Sequence, residues 1–226
     1  MRKKIYCYIC CINLTKKDVS ILVDEKIFIN ELLKGQINSY KRVSSSYHQI
    51  SVMAQDEQIC DKKLNLRPNA SYILIISEKA KQEDEFKCVC IEEKNILLKE
   101  TDCAIRIANF AKEIKDIQLE VKDAESRHIK TTYTNISPYH IINPTNVDKL
   151  KIIDNQAKET RLKLPKLKKY RIYTIFLVHD KVFKIILNID KTSYSGNNIQ
   201  PAENIQKLPK PKFKIKNKKS VDTKQE

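Results

Sequence analysis

Seven cysteines, Cys7, Cys10, Cys11, Cys60, Cys88, Cys90 and Cys103, are the side chains best suited to hold a metal or form cross-links. Cys7 and Cys10 have the spacing of a zinc knuckle, which needs a turn between its ligands. The surrounding run, Ile5-Tyr6-Cys7-Tyr8-Ile9-Cys10-Cys11-Ile12, instead predicts an extended strand, and strand residues three apart face opposite ways. Cys88 and Cys90, two apart on one strand, share a face. An odd count at irregular spacing gives no disulfide framework. The cysteines are therefore read as small buried hydrophobes in a reducing compartment, with zinc ligation as the alternative.

The four histidines, His48, His128, His140 and His179, form no H-x-x-x-H or comparable ligand pattern. The only glycines are Gly35 and Gly196, so there is neither a glycine-rich phosphate loop nor a G-x-S-x-G elbow. Carboxylates adjoin at Glu92-Glu93 and Asp84-Glu85, but strand neighbours point apart, and such pairs are read as solvated. No catalytic, cofactor-binding or metal-binding residue is assigned, and catalysis is not expected.

The remaining chemistry is basic. Lys and Arg number 43 against 28 Asp and Glu, a formal charge of +15 and a pI near 9.4, a balance that favours polyanionic partners. It also describes a Lys-rich solvated surface. One concentration is Lys158, Arg161, Lys163, Lys166, Lys168, Lys169 and Arg171, with Tyr170 and Tyr173 interleaved, a pattern compatible with single-stranded nucleic acid. Tyr170 is read as the core tyrosine of its repeat, which would remove it from stacking. From Lys191 onward nine Lys face Glu203, Asp222 and Glu226. Lys210, Lys212, Lys214, Lys216, Lys218 and Lys219 lie there among Pro201, Pro209 and Pro211, with little apolar periodicity. This stretch predicts a flexible, disordered basic tail, and it joins the list of candidate polyanion-binding residues.

The elements that must carry these residues repeat. Leu64-Asn65-Leu66 precedes a polar turn, Tyr72 and an apolar run; ninety-eight positions on, Leu162-Lys163-Leu164 precedes another turn, Tyr170 and Ile172 to Val178. Asp116 to Val121 parallels Asp18 to Val23, Ile136-Ser137-Pro138-Tyr139 parallels Ile37-Asn38-Ser39-Tyr40, and Phe183 to Leu187 parallels Phe86 to Cys90. Cys103 to Asn109 is the second copy of the first strand. Val19, Ile21 and Val23 alternate with Ser20, Leu22 and Asp24 as in a half-buried strand, and an exposed hairpin loop is predicted over Glu78 to Glu85. Short strands joined by turns at this spacing predict an all-β protein: two tandem immunoglobulin-like β-sandwich domains, 1–95 and 101–190, joined near Asn95 to Thr101 and followed by the tail, 191–226.

The order Asp18-Val19-Ser20-Ile21-Leu22-Val23-Asp24, Leu33-Lys34-Gly35-Gln36-Ile37-Asn38-Ser39-Tyr40, Tyr47-His48-Gln49-Ile50-Ser51-Val52 and Leu66-Arg67-Pro68-Asn69-Ala70-Ser71-Tyr72 resembles the family called domain of unknown function 4397. The resemblance covers both repeats, from Lys3 to Asp190. It implies a small β-sandwich, often in tandem in bacterial cell-surface or secreted proteins, with no activity attached and no site residues to transfer. Leu14-Thr15 stands where the family has Ser-Pro, and Glu25 and Ser46 stand where it has Gly.

Met1-Arg2-Lys3-Lys4 before the first apolar run has the outline of a signal peptide, but no small-residue cleavage site follows and the run is needed as a strand. No stretch approaches the roughly 18 apolar residues of a transmembrane segment. A cytoplasmic location is favoured, with the cell surface implied by the family. The function expected is a non-enzymatic interaction or structural protein with an unidentified protein or glycan partner, and the family resemblance implies an envelope association. Polyanion binding through the tail and the Lys158 to Arg171 stretch is the alternative.

Overall fold

The structure is a computed structural model, and it describes residues 5–79, 85–121, 127–180 and 182–191. The predicted hairpin loop lies mostly, and the basic tail almost wholly, outside the described residues.

The first eight strands are β1 (Tyr6–Asn13), β2 (Val19–Val23), β3 (Lys26–Leu32), β4 (Lys41–Ser44), β5 (Tyr47–Ala54), β6 (Glu57–Asn65), β7 (Ser71–Glu78) and β8 (Phe86–Glu92). They form two four-stranded sheets, β4-β1-β7-β8 and β3-β2-β5-β6. The second set is β9 (Cys103–Phe110), β10 (Ile114–Val121), β11 (Arg127–His128), β12 (Asn135–Ile136), β13 (His140–Ile142), β14 (Val147–Asp154), β15 (Glu159–Lys163), β16 (Ile172–Asp180) and β17 (Val182–Ile189). It repeats the plan, with sheets β12-β9-β16-β17 and β11-β10-β14-β15, and with β13 also paired to β9. The chain is thus all-β, built as immunoglobulin-like sandwiches. Among the described residues no helix is long and apolar enough to cross a membrane.

The alternation read from sequence decides which side chains enter each core. Val19 and Ile21 on β2 meet Ile50 and Val52 on β5, and face Cys7, Ile9 and Cys11 on β1 across the first sandwich. Ile117 and Leu119 on β10 meet Leu150 and Ile152 on β14, and face Ile105 and Ile107 on β9. The β2–β3 turn has Asp24 and Glu25 at φ of 49° and 64°, the left-handed pair that a two-residue hairpin needs to match strand twist.

In each repeat the first strand pairs in parallel with the next-to-last strand, β1 with β7 and β9 with β16, at the centre of a sheet covered on both faces. Tyr72, Leu74 and Ile76 of β7 point into the first core, whereas Ile73 and Ile75 point away from it. Those two, with Ile12 of β1, pack against Ala108 of β9 and Phe176 of β16 in a third apolar cluster. The inner sheets of the two sandwiches therefore stack on each other. Covering on both faces explains the continuous apolar runs where a half-solvated strand would alternate. The described residues belong to one compact unit.

Candidate functional site

The β6–β7 crossing fixes the register of the repeat and corrects the sequence reading. The Arg67 amide donates to Tyr72 Oη at 2.8 Å, and the Lys168 amide donates to Tyr173 Oη at 2.8 Å. Ile9 is paired with Tyr72 and Ile105 with Tyr173. This is the tyrosine corner of immunoglobulin-like sandwiches, a hydroxyl closing the turn that carries the chain from one sheet to the other. The core tyrosine of the second repeat is Tyr173, 1 % exposed, and not Tyr170. Tyr170 is the counterpart of Asn69: their φ angles are 61° and 57°, and their amides donate to Asp102 O and Tyr6 O respectively. Tyr170 is 45 % exposed, so the ring assigned to the core is available at the surface.

The basic stretch around it is divided by the fold. Lys158, Arg161 and Lys163 stand exposed on or beside β15, and Lys166, Lys168 and Lys169 are exposed in the loop that leads to Tyr170. Leu164 and Leu167 turn inward from that loop and anchor it to the core. Arg161 is ion-paired with Glu120 at 2.7 Å and lies 3.9 Å from Glu159, so its charge is already balanced. Arg171 is half-buried. Lys163 lies opposite Lys149 in the β14–β15 ladder, a like-charge pair. Lys163, Lys166, Lys168 and Lys169 have no acidic partner among the described residues. Lys210, Lys212, Lys214, Lys216, Lys218 and Lys219 lie outside the described residues.

A second constellation, missed from sequence, lies between the sandwiches. Glu93, read as half of a solvated pair, is 5 % exposed; its neighbour Glu92 is the solvated member and binds Arg67. Glu93 accepts from Tyr40 Oη and from the Lys191 amide at 3.1 Å. Asp190 occupies the same position in the second repeat. It accepts from Tyr139 Oη at 2.7 Å and from Thr174 Oγ1 at 2.8 Å, with Arg106 Nη2 3.6 Å away. Asn188 ties the halves together by donating to Tyr40 Oη at 3.0 Å and to Asp190 at 3.3 Å. Burial, and then the neighbouring Asp190, push the Glu93 carboxyl up to about 8. Burial also raises Asp190, against which Arg106 works. Asp190 has more donors around it than Glu93, and these and Arg106 oppose the rise that burial imposes on it. The parallel between Ile37–Tyr40 and Ile136–Tyr139 was visible in sequence, but nothing local marked their tyrosines as ligands for buried acids.

The histidines and cysteines have structural placements. His48 is buried with Nδ1 2.6 Å from Asp24 Oδ2 and Nε2 2.9 Å from Ser46 Oγ, an order resembling a serine relay. Nε2 also lies 2.8 Å from the Ser44 carbonyl oxygen, an acceptor. The arrangement clamps the β4–β5 turn onto the β2–β3 turn. Cys7 points into the first core, whereas Cys10 faces the other way with Sγ 3.1 Å from Asn38 O. Cys88 and Cys90 both face the first core. Burial raises the Cys90 and Cys103 thiols to about 12, which disfavours the thiolate needed for metal binding or attack. Among the described residues no cluster of three or more His, Cys, Asp or Glu is placed to hold a metal.

No protein-family model and no curated protein matches the chain.

Proposed function

We propose that the chain is a non-enzymatic macromolecular-interaction protein that engages a polyanion through the lysine loop of its second sandwich. The observation carrying this reading is the position of Tyr170, exposed beside Lys166, Lys168 and Lys169, whose charges no described acid offsets. An exposed aromatic face among unpaired cations suits single-stranded nucleic acid, where bases stack and phosphates meet ammonium groups. The loop is anchored by Leu164, Leu167 and the Tyr173 corner, so a rigid scaffold presents the contact groups.

The test uses the full chain and a fluorescent single-stranded oligonucleotide at low salt. The triple variant K166A/K168A/K169A is expected to weaken binding at least about tenfold, and Tyr170→Ala to cost about 1–3 kcal/mol of binding. Removal of residues 192–226 measures the separate share of the basic tail. Unchanged affinity in both loop variants would refute the proposed surface.

A further inference from the structure

The repeat places equivalent residues on the two walls of a cleft between the sandwiches, a cavity of about 670 Å³ within the range of small-molecule sites. Leu14 lies on one wall and Phe110 on the other, at the C-terminal ends of the strands that open the two repeats. Both join the apolar cluster of the stacked sheets, as does Ile186, so the cleft floor continues the interface core.

The walls differ where charge is concerned. Lys16 on the first wall is balanced by Glu78, 3.8 Å away. On the second wall the residue at the position of Glu78 is His179, and it is held by Glu113 at 3.1 Å. Lys112, the counterpart of Lys16, is thereby left exposed with no acidic partner among the described residues, and Lys184, which also lines the cleft, is in the same condition. A further asymmetry lies deeper. Ser77 follows Ile73 and Ile75 on the outward face of β7, is 3 % exposed, and its Oγ has no hydrogen-bond partner. Its counterpart across the cleft is Val178. A buried hydroxyl left unsatisfied is a standing cost that a ligand atom would remove.

We propose that this cleft binds a small amphipathic anion: an organic carboxylate, sulfonate or phosphate with an aromatic or aliphatic body. The body lies on Leu14, Phe110 and Ile186, the anionic group meets Lys112 and Lys184, and Ser77 Oγ hydrogen-bonds a polar atom of the ligand. The site is independent of the lysine loop.

The experiment titrates the full chain with 8-anilinonaphthalene-1-sulfonate and with N-phenyl-1-naphthylamine, a neutral molecule of similar body. Saturable one-to-one binding of the sulfonate is expected, with amide shift changes at Ser77, Lys112 and Lys184. The surface variant K112E/K184E should weaken the sulfonate at least about tenfold while leaving the neutral probe within about twofold, because only the ion pairing is lost. K166A/K168A/K169A should bind both probes as the parent does. Absence of saturable sulfonate binding would overturn the proposal. So would equal sulfonate affinity in parent and K112E/K184E, or shift changes centred instead on exposed apolar residues such as Ile27 and Tyr47.

Discussion

Glu93 and Asp190 occupy the same position in successive repeats, and the stacking of the two sandwiches brings their carboxyl groups together in a buried site. Each is bound by the tyrosine of its own repeat, Tyr40 or Tyr139. Internal repetition thus places two acids in one buried site, which the rise of Glu93 toward its neutral form, Arg106 and the surrounding donors make tolerable.

This pair makes stability depend on pH. The folded-state value of Glu93, about 8, lies above its ordinary 4.5, so its contribution is fully present below about 4.5 and is lost as pH rises through 8. The guanidinium midpoint is expected to fall between pH 5 and pH 9. Glu93→Gln keeps a neutral group there and should flatten that dependence. Equal slopes in parent and variant would contradict the assignment of the proton.

Asp190→Asn is expected to be more damaging than Glu93→Gln. It leaves Arg106, 4 % exposed, without its counter-charge, and breaking a buried pair in this way costs about 3–5 kcal/mol. Chemical denaturation of the two variants at pH 7 gives the comparison.

The sandwich interface can be weakened separately from either core. Phe176 is fully buried in the apolar cluster between the inner sheets, and its truncation to Ala should cost about 3–5 kcal/mol. Proteolysis near the exposed Leu97 should yield fragments that co-elute for the parent and separate for Phe176→Ala.

The tyrosine register predicts a contrast. Tyr173→Phe removes the acceptor of the Lys168 amide and should cost about 1–3 kcal/mol, whereas Tyr170→Phe at the surface should stay within about 0.5 kcal/mol. Thermal denaturation of both variants checks which tyrosine belongs to the core.

Much of the fold was legible because side-chain alternation is a local signal. Val19 and Ile21, the Ile37–Tyr40 and Ile136–Tyr139 parallel, and the opposed faces of Cys7 and Cys10 all follow from the two-residue period of a strand. The tyrosine corner was misread for an equally definite reason. Tyr170 stands at the spacing set by Leu64 and Leu162, but the corner runs from Arg67 to Tyr72 and from Lys168 to Tyr173, three residues further along. The Oη bond and the burial that goes with it distinguish Tyr173 from Tyr170. Glu93 was out of reach because its burial comes from one sandwich stacking on another, and the adjoining Glu92 is indeed solvent-facing and ion-paired. Lys112 and Ser77 likewise acquire meaning only when the two walls of the cleft are compared.

The most direct test of the polyanion reading is the salt dependence of single-stranded oligonucleotide binding by the full chain and by K166A/K168A/K169A. Each phosphate contact on a single strand contributes about 0.7 to the slope of log affinity against log salt, so three lost lysines should reduce that slope by about 2. A reduction of that size would place the contact on the loop beside Tyr170. Parallel lines for the two proteins, with equal affinity at low salt, would contradict it.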